Sequence, residues 1–110
     1  MPYTTLEKIK RILNITSSDR DALLNDLLAE VDAELNLILQ KHFKMPITDD
    51  NILTALDGIE ALWVAGRYRM LFEPSPMMTP EGSPREHDFV IEARRRLKTL
   101  IESRRVILGV

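Results

Sequence analysis

The placement of aliphatic side chains between residues 19 and 42 restricts this chain most. Leu23, Leu24, Leu27, Leu28, Val31, Leu35, Ile38 and Leu39 recur every three or four residues. At ~100° per residue they fall within an arc of ~160°, so a helix gathers them on one side. Asn25, Asp32 and Asn36 share the opposite side. Ser18 is placed to cap the start, with Asp19 and Asp21 suited to a positive helix N-terminus. The helix is expected over 19–42 and stops before Met45-Pro46, because proline disfavours helix at the residue before it.

The same rhythm predicts three more helices. Thr4 and Glu7 form a T-x-x-E capping box opening a short helix over 4–13, with Leu6, Ile9, Ile12 and Leu13 on its apolar side. Asp49 or Asp50 caps a helix over 50–72. Its main face is Ile52, Ala55, Leu56, Ile59, Leu62, Trp63, Gly66 and Met70, widened by Leu53, Val64 and Leu71. A helix apolar around so much of its circumference sits centrally. Gly58 and Gly66 lie inside it and are read as close approaches by a neighbouring helix. Ser83 as N-cap, Pro84 at the first position and Glu86 at the third start a helix over 84–105, lined by Phe89, Val90, Ala93, Leu97, Leu100 and Ile101.

Residues 73–84 hold four of the six prolines, which excludes helix and central strand. They are expected to form a flexible loop in which Met77 and Met78 offer adaptable apolar contact. The chain closes on an apolar tail, 106–110, with Val106, Ile107, Leu108 and Val110. The expected fold is all-α: a small four-helix bundle in a single domain over 1–110.

Composition narrows the chemistry. With 110 residues, one core burying roughly 65% of the unfolded surface is attainable without staples. The absence of cysteine removes disulfides, thiolate metal sites and cysteine catalysis. His42 and His87 are far apart, which disfavours a multi-histidine metal centre. Asp49, Asp50 and Asp57 match no calcium-loop spacing and read as caps and polar surface. No P-loop, glycine-rich fingerprint or nucleophile elbow occurs, so neither enzyme activity nor a cofactor or metal is expected. No apolar run reaches the ~18–20 residues of a membrane span, and the first residues lack a signal-peptide core. The expectation is a cytosolic or intracellularly assembled protein with no membrane contact.

Charge is polarised. Residues 1–84 carry 13 acids and 8 bases, and residues 85–110 carry 7 bases and 4 acids. Six acids and one base between Asp19 and Glu34 argue against a helix-turn-helix, since phosphates would repel its second helix. Arg94, Lys98 and Arg105 fall within ~40° on the last helix. That stripe fits a solvated face, an acidic partner surface or passing DNA. Glu34 enters the apolar arc of the second helix, while Glu60 and Arg67 interrupt the apolar surface of the third. Such charges need partners, either at the rim of a monomer or inside a subunit interface. The candidate assembly interface is therefore Glu34, Glu60, Arg67, Met77, Met78, Arg94, Lys98, Arg105, Val106, Ile107, Leu108 and Val110.

Residues 6–39 also carry a resemblance. The run Leu6-Glu7-Lys8-Ile9-Lys10-Arg11-Ile12-Leu13-Asn14-Ile15 reads L-x-x-I-K-x-x-L-x-I. The acidic turn Ser18-Asp19-Arg20-Asp21-Ala22-Leu23-Leu24 follows and leads into the long amphipathic helix. This pattern resembles head–tail connector (adaptor) proteins of tailed double-stranded DNA phages. The resemblance implies a subunit without catalytic residues, found at the virion neck, that forms a ring of about twelve copies beneath the portal protein. Such a ring continues the DNA channel, passes DNA without reading its sequence, and docks the next neck or tail completion protein. The alternative from the residues is a small helical regulator that binds nucleic acid through its basic last helix.

Overall fold

The computed structural model describes residues 2–72 and 88–107, with side chains up to residue 103. It contains four helices: α1 (Leu6–Leu13), α2 (Asp21–Leu39), α3 (Asp50–Phe72) and α4 (Asp88–Ile107). The fold is all-α and bundle-like. Helix α3 packs against each of the other three, α1 also touches α2, and α4 packs on α3 alone.

The central place of α3 follows from its side chains. Ile59, Glu60, Ala61, Trp63, Val64, Ala65 and Gly66 are all buried and Leu62 is half-buried, so these two turns are enclosed around most of their circumference. The aliphatic arc of α2 supplies Leu24, Leu27, Leu28, Val31, Leu35 and Leu39 to the same core, with Leu23 and Ile38 half-buried at its margins. Val90, Ala93 and Leu97 bring α4 onto α3.

Gly66 explains how close α4 comes. A Cβ placed there would lie 2.5 Å from Val90 Cγ2 and 2.9 Å from the Val90 amide nitrogen. Only glycine lets the first turn of α4 cross at that height. Gly58 differs from expectation: a Cβ there would meet nothing nearer than Arg96 Nη1 at 3.8 Å, so no neighbouring helix requires that glycine.

Several boundaries differ from the sequence expectation, each for a visible reason. The cap of α1 is Thr5, whose hydroxyl accepts from the Lys8 amide at 3.2 Å, and not Thr4. Thr4 is drawn inward because its amide donates to Glu60. Asn14, in the left-handed region at φ 59°, closes α1, with the Ile15 amide donating to the Lys10 carbonyl at 2.9 Å. Helix α2 starts at Asp21 and not at Asp19; Arg20 takes the cap position without a side-chain bond, and Ser18 contributes only its carbonyl. The Asp21 carboxylate meets Lys10 Nζ of α1 at 2.8 Å. At its far end α2 stops at Leu39 and not at His42. The amides of Lys41 and His42 donate three residues back, tightening the chain into a turn that inserts Phe43 into the core. Asp49 caps α3 as expected, accepting from the Asn51 and Ile52 amides at 2.9 and 3.2 Å. Helix α4 runs on through Val106 and Ile107, so the apolar tail starts inside the helix and not after residue 105. The loop expected at 73–84, the Ser83 cap and the helix start at 84 lie outside the described residues.

Candidate functional site

Because α2 and α4 both rest on α3 without packing on each other, a cleft is left between them. Three stripes at helical spacing line it. Leu27, Glu30, Glu34 and Ile38 come from α2; Trp63, Arg67 and Met70 from α3; and Val90, Arg94, Leu97, Lys98 and Ile101 from α4. The cleft has two lobes of about 520 and 380 Å³ that share Trp63 and Arg94. Trp63 forms the floor, only 3% exposed, with the Arg94 guanidinium 5.8 Å from its ring centre.

The walls are opposite in charge. Glu30 and Glu34 stand on the α2 side, and Arg94 and Lys98 on the α4 side. Arg67 rises from the floor to the acidic wall, pairing with Glu34 and reaching Glu30 at 4.0 Å. His42, in the turn after α2, and Glu102 close the larger lobe.

The candidate interface residues are thus distributed unevenly. Glu34, Arg67, Arg94 and Lys98 converge on this cleft. Glu60 is elsewhere: it is 0% exposed, and the chain itself supplies its partners through the Tyr3 and Thr4 amides. Arg105, Val106 and Ile107 fall in the last turn of α4, where side chains are outside the described part. Met77, Met78, Leu108 and Val110 lie outside the described residues. Trp63 and Leu97 belong to the core, as their helical spacing predicts, and with Ile101 they also line this cleft, a second role that sequence reasoning missed. The available signal was the common helical spacing of 34 and 38 with 94, 98 and 101.

Among the described residues no group of three or more histidine or carboxylate side chains could hold a metal. Asp49 is occupied as a cap, and Asp57 pairs with Lys8 at 3.2 Å. On α4, Glu92 holds Arg95 through two bonds of 3.0 and 2.8 Å and Arg96 through one of 3.0 Å. Those bonds lower the Glu92 carboxyl below its ordinary range. No described helix is long and apolar enough to cross a membrane.

The fold is thus all-α, with a charged, tryptophan-floored cleft between α2 and α4. Residues 3–68, more than half of the chain, match the phage gp6-like head–tail connector family. The chain belongs to that family, which is structural, and its role is that of a connector protein of the phage head–tail junction. No curated protein and no solved structure matches the chain.

Proposed function

We propose that the chain is the repeating subunit of a ring, of about twelve copies, that sits beneath the portal, continues the DNA channel and docks the next neck or tail component. The family match over residues 3–68 is the observation that carries this reading. The matched region includes α1, α2 and most of α3, the part that builds the core and the acidic wall. The cleft is the surface proposed to meet a neighbouring subunit, with Arg94 and Lys98 facing acids of the next copy and Arg105 continuing the stripe. Unlike surfaces that meet head to tail close into rings. The apolar residues Val106, Ile107, Leu108 and Val110, and the pair Met77 and Met78, are proposed to pack on a neighbour or on the portal side. The regulator reading is weaker, because Glu92 neutralises two arginines of the helix that would have to grip phosphate.

Negative-stain microscopy and sedimentation of the concentrated full chain test the proposal. Rings that weaken as salt rises are expected, because screening shortens charge attraction to about 8 Å near physiological strength. Changing Arg94, Lys98 and Arg105 together to Glu should leave helicity intact by circular dichroism and prevent assembly. Normal assembly of that variant at low and high salt rejects the charged stripe as an interface. Salt-sensitive retention on DNA by a monomeric chain favours the regulator.

A further inference from the structure

One carboxyl group fastens the N-terminal segment to the interior. The amides of Tyr3 and Thr4 both donate to Glu60 Oε1, at 2.8 and 3.0 Å. The Tyr3 hydroxyl donates to Asn36 Oδ1 on α2. Glu60 is 0% exposed on the most enclosed helix. Its second oxygen, Oε2, is buried and accepts no hydrogen bond among the described residues. Asp32 of α2 stands within hydrogen-bonding reach of Glu60, and its Oδ1 is likewise buried without a donor.

Two ionised carboxylates so placed would be like charges, and acceptors with no donor between them. The groups acting on Glu60 are Asp32 of α2 and Tyr3 and Thr4 of the N-terminal segment, with no cation among them. Lys8, the α1 ammonium on this side, is engaged with Asp57 on the preceding turn of α3. No described side chain of α4 acts on Glu60. A single proton answers both unsatisfied oxygens: Glu60 donates through it to Asp32 and keeps Oε1 free to accept the two amides. We infer that Glu60 and Asp32 hold one proton between them, and that this shared proton is a pH-sensitive clasp joining the N-terminal segment, α2 and α3.

Burial, with the bond to Asp32, pushes the Glu60 carboxyl up to about 8. The Tyr3 phenol, raised chiefly by burial, stays protonated through that range. When the shared proton leaves, two negative charges are in contact. Asp32, half-buried, has the nearer route to solvent, and the α2 turn that bears Asn36 then loosens its hold on Tyr3. This inference is independent of the assembly role.

Amide and carboxyl NMR shifts of the full chain, followed from pH 5 to 10, test it. The Tyr3 and Thr4 amides should move in one step centred near pH 8. Glu60→Gln places an N–H₂ where the shared proton sits and preserves Oε1, so the step should vanish with both amides still bonded. Asp32→Asn removes the like charge and lets an amide donate to the carboxylate, so the step should move to lower pH, while burial still holds it above an unperturbed glutamate. A wild-type midpoint below about pH 5 overturns the proposal. So does a step near 8 that survives in both variants. Should Glu60→Gln not fold, the wild-type titration and Asp32→Asn decide the matter.

Discussion

Arg67 of α3 and Glu34 of α2 form an ion pair across the floor of the cleft. In the sequence each looks like a separate fault in an apolar face; in the fold each is the other's partner. Both side chains are partly exposed, 27% and 47%, so water already screens the attraction. A double-mutant cycle with Arg67→Ala and Glu34→Ala, read by urea unfolding, should give a coupling of about 0.5–1 kcal/mol. A coupling above about 3 kcal/mol would mean that the pair is desolvated in the native state, as a buried pair is.

The two helical glycines should respond in opposite directions. Gly66→Ala forces a methyl into the Val90 backbone and should destabilise by about 1–3 kcal/mol. Gly58→Ala has room and gains helix propensity, so it should stabilise by up to about 1 kcal/mol. Thermal unfolding of both variants checks the pair. Equal effects would contradict the close crossing of α3 and α4.

The enclosed turns of α3 should be costly to hollow out. Ile59 is 1% exposed and Trp63 3%. Truncation of Ile59 to Ala should cost about 2–5 kcal/mol, and of Trp63 to Ala about 3–5 kcal/mol. A loss under about 0.5 kcal/mol at both would contradict their place in the core, against the cavity cost such deletions carry.

Stability should also depend on pH through Glu60. Its carboxyl is raised from about 4.5 to about 8 in the folded chain. Between those values the unfolded chain gives up the proton that the folded chain still holds. The contribution is therefore full below about pH 4.5, is lost as pH rises through that window, and is gone above about 8. Glu60→Gln holds the neutral form at every pH and serves as the reference. The deficit of wild type against it should widen from pH 5 to 8, by at most about 1.4 kcal/mol per pH unit, and then level off. Melting curves of both proteins across this range check it, and a constant difference contradicts the shift.

What the amino-acid order determined by itself was local. Four helices, the breadth of the apolar surface on α3 and the Asp49 cap depend on residues within four positions of one another, and helical spacing displays them directly. The Glu92–Arg96 pair on α4 is of the same kind. The position of the first cap was misjudged because the amide of Thr4 answers to a residue 56 positions away. The same distance hid the role of Glu60: its charge is visible in the sequence, but the amides and the second carboxyl that account for its burial come from separate elements. The pairing of Glu34 with Arg67, and the cleft that sets Arg94 and Lys98 opposite an acidic wall, depend on how α2 and α4 are rotated about α3. Periodicity tells which side of a helix is apolar, but not which neighbour that side meets or at what height. The rotation is settled only when the core closes, by contacts such as Val90 over Gly66, and so only the tertiary structure decided where the charged residues would gather.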